Sequence, residues 1–273
     1  MEISILMMRT KLSRFLPSGS RNPIENTMTT KITQFGLAAS FLSGLCDDEF
    51  TFKKIAEHGD FGHGTFNAID GEMIAVDGVF YRADVDGNVA VVQPDQVSPL
   101  AVVTHFKPNS SCQLENIADF ATFQSQIAQH MPKKNTIYAI RVDATFTFIS
   151  ARSELPQTKP YESIEISIPK LQRSFLLENT QGSLIGYYVP EIYKSIILPG
   201  FHFHYINTTR NKGGHVFDFK FKQGTIRLQA CTELHVMLPI TKQFDSMDLN
   251  QNTDKALQVA KQGRAGSHKN NPS

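Results

Sequence analysis

The chain has 273 residues, enough for one large domain or two moderate ones with cores of their own. Hydrophobic residues make up 41% and charged residues 19%, which excludes a chain disordered throughout. Lys and Arg number 27 against 26 Asp and Glu, so the net charge of +1 provides no global field to recruit nucleic acid or anionic lipid, and an anionic ligand must be held by local positive charge or a metal.

Seventeen glycines, 20 phenylalanines and no tryptophan point to a turn-rich fold with much sheet. Cys46, Cys112 and Cys231 are far apart and form no Cys-x-x-Cys pair, which argues against a disulfide scaffold or a zinc knuckle and for a reducing compartment. No apolar run approaches the roughly 20 residues of a membrane-spanning helix. The opening apolar stretch Ile3–Met8 has its basic residues after it, the wrong order for a secretory signal. These features predict a cytoplasmic protein with no membrane or nucleic-acid partner.

In chain order, residues 1–28 are basic and then rich in Ser, Gly and Pro, the composition of a flexible extension, with Met28 an alternative start. Helical patterning is expected over Leu37–Leu45 and over Phe52–Glu57, the latter capped by Thr51. From Gly62 the period drops to two, and Met73–Val76 and Val79–Ala83 flank the hairpin signal Asp77-Gly78. A second turn at Asp86-Gly87 precedes the strand Val89–Val92, and Val102–Phe106 reads as another strand. Ile117, Phe120, Phe123 and Ile127 sit near helical spacing and predict the longest helix, Leu114–His130. Thr136–Val142 and Thr145–Ile149 are β-rich, and Leu155–Glu162, with Pro156 and Pro160, reads as the connection between halves. Strands are then expected at Ser163–Ile168, Ser183–Tyr188, Phe201–Ile206, His215–Phe221, Thr225–Ala230 and Leu234–Leu238, and a last helix over Asp254–Lys261 before a disordered tail. The organisation predicted is an extension (1–28), an N-terminal α/β domain (29–155), a C-terminal β-rich domain (156–245) that binds metal, and a terminal helix and tail (246–273).

The strongest chemical signal is Pro199-Gly200-Phe201-His202-Phe203-His204-Tyr205-Ile206, followed by Gly213-Gly214-His215. Strand side chains alternate faces, so His202 and His204 point the same way, about 6.5–7 Å apart along the backbone. A turn at Gly213-Gly214 would place His215 on a neighbouring strand, and three imidazoles would converge. Three nitrogens with positions left open describe a catalytic metal site, zinc first among iron, nickel and manganese. Hydrogen-bonded strand histidines are the plain alternative. Glu72, in Asp70-Gly71-Glu72-Met73, stands beside a turn where a carboxylate either reaches a site edge or is solvated. Arg152, at a strand end, either forks onto a substrate carboxylate or lies on the surface. His58, His63, His105, His130 and His268 have no spacing partner and read as structural or solvated.

Taken together, Gly59-Asp60-Phe61-Gly62, Gly64-Thr65-Phe66, Asp70 to Ile74, Arg152-Ser153, Gly200 to His204 and Gly213 to Val216 resemble the α-acetolactate decarboxylase family over roughly residues 30–245. The resemblance implies an α/β protein of two packed sheet-rich halves with a few helices. A mixed sheet is expected in the N-terminal half and a mainly antiparallel one in the C-terminal half, in a chain that forms a homodimer. It implies Zn²⁺ on His202, His204 and His215, catalytic roles for Glu72 and Arg152, and Thr65 and Arg152 in substrate binding. The implied reaction converts 2-acetolactate to acetoin and CO2. The substrate is a β-keto acid with a hydroxyl beside the ketone, so loss of CO2 pushes electrons toward an oxygen that a Lewis acid stabilises. Arg152 would orient the departing carboxylate and Glu72 would manage the proton.

Two departures stand out. His63 occupies a place where the family more commonly has an aliphatic residue, and Lys261 aligns where a terminal glutamate is expected, which predicts a displaced or disordered C-terminal segment and reduced activity, with Glu233 a possible substitute. A cupin-like metal enzyme also uses His-x-His on a strand, but Thr208 and Thr209 stand where its glutamate would fall. A non-catalytic sheet-rich binding module is the remaining class, and it should purify without stoichiometric metal.

Overall fold

The computed structural model describes residues 30–250 and 252–262. The extension expected over residues 1–28 and the tail beyond the last helix lie outside the described residues. The first half runs through β1 (Lys31–Phe35), α1 (Ala38–Leu42), β2 (Phe50–Thr51), α2 (Phe52–Ala56), β3 (Phe61–Thr65), β4 (Glu72–Val76), β5 (Val79–Ala83), β6 (Val89–Val91), β7 (Val97–Ser98) and β8 (Ala101–Thr104). It continues through β9 (Ser110–Ile117), α3 (Phe120–Ile127) and the long β10 (Ile137–Glu154). The second half holds α4 (Ile164–Leu171), β11 (Gln172–Val189), β12 (Gly200–Asn207), β13 (Gly213–Cys231), β14 (Glu233–Met237), α5 (Lys242–Ser246) and α6 (Asp254–Gln262).

Two sheets pack face to face. The first has seven strands in the order β14-β1-β8-β3-β4-β5-β6, and it is mixed because β14 runs parallel to β1. The second is antiparallel, β10-β11-β12-β13-β9, and β13 also pairs with β10, so its pairings close into a ring. The mixed and antiparallel sheets expected are therefore both present. Their sheets do not follow the sequence boundary near residue 155, however. β9 and β10 belong to the second sheet, β14 returns to the first, and the Pro156–Pro160 segment joins β10 to α4 rather than one sheet to the other.

Alternation explains the layers. Along β4, Ile74 and Val76 face the second sheet with Ile185, Tyr187 and Ile206, while Met73 and Ala75 face outward onto Phe52, Phe66 and Phe80 beside α2. Both faces of β4 are buried, so the strand reads as a continuous apolar run. The interior of the second sheet is aromatic, with Phe123 of α3 edge-on to Phe203 and Phe219, and Phe146 edge-on to Tyr205, Phe219 and Phe221. The Asp77-Gly78 hairpin forms with φ of 54° and 79°, and Thr51 caps α2 by accepting from the Lys54 amide.

Three expectations are corrected. Leu114–Ile117 is strand, not helix. Asn116 takes φ 56°, which resets the side-chain alternation so that Leu114 and Ile117 both point inward at a spacing that mimics a helix. The helix starts only at Phe120, where Asp119 accepts from the Thr122 amide at 2.7 Å. Ser163–Ile168 is the start of α4, not a strand, because Ile164 and Ile168 bury one helical turn apart against α1 and α6. The chain turns between β12 and β13 at Asn207–Lys212, where the Asn207 carboxamide accepts from the Asn211 and Lys212 amides. Gly213 and Gly214 are strand residues opposite Ile206 and Tyr205. Two further pairs of expected strands are continuous: β10 spans both β-rich stretches before residue 150, and β13 spans both after residue 212.

Candidate metal centre

His204 and His215 are directly opposed across β12 and β13, and His215 is in turn opposite Arg152 on β10. His202 precedes His204 by two residues and shares its face. The rings of His202, His204 and His215 lie 4.7–5.5 Å apart, so the three expected histidines do converge. The first sheet supplies the opposite wall. Thr65 on β3 pairs with Glu72 on β4, and Glu72 Oε2 lies 3.2 Å from His204 Nε2. Gly62 and Gly64 leave room for this arrangement, since a Cβ would stand 2.0 Å from the Val102 carbonyl oxygen of β8 at Gly62 and 2.4 Å from that of Leu100, just before β8, at Gly64. β3 is thereby pressed onto β8 on that face, and Phe61, His63 and Thr65 point the other way.

The hydrogen bonds set the tautomers. His204 Nδ1 donates to the Met73 carbonyl at 2.8 Å, leaving the lone pair on Nε2. His215 Nε2 donates to the Lys261 carbonyl at 3.3 Å, leaving the lone pair on Nδ1, which faces His202 Nε2 at 2.9 Å. Backbone carbonyls in this position fix the ring and raise the basicity of the other nitrogen, as partners of metal-bound histidines do. Burial pushes the pKa of His202 and His215 well below the ordinary histidine range and that of His204 to about 3, with Arg152 adding to each through its charge. Desolvation favours the neutral form of each ring, and His215 Nδ1 is met by His202 Nε2. His202 Nδ1 is buried without a hydrogen-bond partner among the described residues, and His204 Nε2 faces only the Glu72 carboxyl at 3.2 Å. Two sets of donor atoms, Glu72 with His204 and His215, and His63 with His202 and His204, each lie within 4.8 Å of one another, so the residues present fit a metal ion.

The acidic side holds a residue that sequence inspection missed. Glu154 follows Arg152 by two on β10, shares its face, and is only 3% exposed. Its Oε1 lies 3.0 Å from Arg152 Nε, and it hydrogen-bonds Glu72. Burial first and the Glu154 charge second raise the Glu72 pKa well above the usual carboxylate range, against the opposing pull of Arg152. The period-two rule applied to Arg152 finds Glu154, but the sequence reading ends the strand at Arg152, just before the connection at Leu155.

Arg152 is buried rather than superficial, and its guanidinium stacks over Phe217. One amine donates to Gln172 Oε1 at 3.0 Å and the other to the Ala260 carbonyl at the end of α6. The C-terminal helix is thus neither displaced nor disordered up to Gln262. Ala256 and Ala260 pack against Phe41, Ile164 and Ile168, and Arg152 satisfies carbonyls that a helix end leaves open. At position 261 the group that meets the site is the backbone carbonyl on His215, while the Lys261 side chain lies against Gly200. Glu233 begins β14 and is exposed, outside this cluster. Thr65 lines the cavity but spends its hydroxyl on the Gly71 carbonyl at 2.8 Å.

A cavity joins these groups, polar at Thr65, Glu72, Arg152 and the histidines and apolar at Phe41, Ile164 and Leu198. Comparison with known proteins places the chain by sequence and by fold. The sequence profile of the alpha-acetolactate decarboxylase family matches residues 32–251. The alpha-acetolactate decarboxylase of Bacillus licheniformis is 34% identical over 229 residues, 84% of this chain and 90% of that one. That of Methanosarcina mazei is 32% identical over 235 residues, 86% of this chain and 81% of its own. The crystal structure of alpha-acetolactate decarboxylase from Bacillus subtilis strain 168 superposes with a TM-score of 0.82 at 33% identity, covering 85% of this chain and 99% of that one.

Proposed function

The chain belongs to the alpha-acetolactate decarboxylase family, and from that premise we propose that it converts 2-acetolactate to acetoin and CO2 at a metal centre held by His202, His204 and His215. The observation that carries the reading is the convergence of buried imidazoles on a cavity they share with the Glu72 carboxyl and the Arg152 guanidinium. Zn²⁺ is the cation proposed, since imidazole nitrogens suit a borderline ion.

When bound, a divalent cation supplies Lewis acidity beside the substrate ketone, where negative charge grows as CO2 leaves. The protein residues supply the rest. Arg152 places a fixed positive charge in the cavity and orients the carboxylate to be lost. Thr65 and the apolar wall of Phe41, Ile164 and Leu198 hold the methyl groups and exclude water. The carbon that loses CO2 needs one proton to become acetoin, and Glu72, whose pKa burial and Glu154 raise, delivers it and is recharged from solvent.

The same reading takes the enzyme as a cytoplasmic homodimer acting on a small molecule, without nucleic-acid or membrane partners. Three unpaired cysteines and the net charge of +1 support it. Among the described residues no helix is long and apolar enough to cross a membrane. The test is acetoin formation from racemic 2-acetolactate by purified protein. Activity should vanish with a strong chelator and return with Zn²⁺; a chelated, metal-free protein that forms acetoin at full rate defeats the proposal.

A further inference from the structure

We propose that His63 is a fourth imidazole of the metal centre, so that this chain holds its cation in a nitrogen-rich site selective for borderline ions such as Zn²⁺, Co²⁺ or Ni²⁺ over Mg²⁺ and Mn²⁺. The inference rests on the metal reading above and goes beyond its three ligands.

His63 comes from β3, on the opposite sheet from the other three, and the close approach of Gly62 and Gly64 to β8 fixes the height at which its ring enters the cavity. The ring centroid lies 4.1 Å from that of His202 and 4.8 Å from that of His204. One nitrogen from each of His63, His202 and His204 falls within 4.8 Å of the others, a spacing that one cation can bridge. The residue is 5% exposed, and its Nε2 is buried without a hydrogen-bond partner among the described residues.

An orphaned nitrogen costs free energy that a valine or isoleucine in the same slot would avoid, while filling the wall against Tyr187 as well. A buried imidazole whose ring lies beside two candidate ligands, with its Nε2 unpartnered among the described residues, is placed to share their ion. It binds what they bind. Affinity for divalent ions at a nitrogen site rises toward nickel, copper and zinc, so a fourth imidazole sharpens the discrimination against magnesium and manganese.

The test loads the full-length protein with Co²⁺ and Zn²⁺ and compares wild type, His63→Val and His204→Ala. Absorption of the Co²⁺ forms and competition of the Zn²⁺ forms against a chromogenic chelator are the readouts. His63→Val is expected to weaken Zn²⁺ about 10–100-fold and to shift the Co²⁺ bands, the scale at which a supporting group of a metal site acts. If His204→Ala loses the metal while His63→Val keeps wild-type affinity and spectrum, the three-histidine reading stands and this one falls. A wild type that binds neither ion overturns both. Should His63→Val fail to fold, X-ray absorption of Zn²⁺-loaded wild type decides: four imidazole scatterers support the proposal and three overturn it.

Discussion

The aromatic interior of the second sheet and the polar pocket between the sheets are both built from buried side chains, Phe146, Phe219 and Phe221 in the first and His204, His215 and Arg152 in the second. In the aromatic interior every ring finds a partner edge or face, and burial yields its full transfer free energy. In the pocket, nitrogens are buried without partners and one carboxyl lies against another, which with burial raises the Glu72 pKa. The first region stabilises the fold; the second draws on that stability to keep donors desolvated and aimed. The two also differ in origin. The aromatic interior is built from β9–β13 and α3, whereas the pocket takes side chains from β3, β4, β10 and β12–β13 and is completed by α6.

Substitutions should therefore divide cleanly. The largest effect is expected at His202→Leu: metal affinity falls by roughly one to several orders of magnitude, since the centre loses a ligating imidazole. The melting temperature of the metal-free protein should hold or rise, because an orphaned nitrogen is removed. A metal-free destabilisation as large as that of a core phenylalanine would erase the contrast. Glu72→Gln is expected to keep the metal and lose about 10²–10⁴-fold in turnover, read by metal analysis alongside acetoin assay. Normal turnover would remove Glu72 from the proton step. Arg152→Ala should lose turnover and also speed hydrogen exchange in α6, because the Ala260 carbonyl loses its donor. Unchanged α6 protection would show that the helix docks without it.

Phe146→Ala tests the other region. It should cost roughly 3–5 kcal/mol in denaturant unfolding while leaving metal affinity per folded molecule unchanged. The smallest effect is at Asp119, whose amide contacts with Thr122 hold its carboxylate below the usual pKa. A depressed folded pKa adds stability that is present above the unfolded value and lost as pH falls through the folded one. Asp119→Ala should thus melt below wild type at neutral pH, with the gap closing in acid. A gap independent of pH would mean that the cap acts through something other than its charge.

Much of the site was legible because its signals are local. His-x-His on a strand needs only period two to put both rings on one face, and Asp77-Gly78 needs only its own φ preference to make a hairpin. Glu154 obeys the same rule but lies beyond Arg152, where the sequence reading ends the strand. His63 had no spacing partner, since its neighbours come from β12, some 140 positions along the chain. The helix misread at Leu114 has a similarly local origin in one left-handed asparagine, which a period count does not register.

Local periodicity, turn chemistry and caps determined the strands around the histidines, both short hairpins of the first sheet and the terminal helix, because each depends on residues within a few positions of one another. Tertiary structure alone decided that β14 returns to pair with β1, that β10–β13 close into a ring, and that α6 docks so that Arg152 meets its carbonyls and Lys261 presents a backbone oxygen to His215. These contacts span about 46 to 202 positions of sequence separation. Their free energy comes from burying whole faces against one another, a quantity that belongs to the packed pair of sheets and to no single segment.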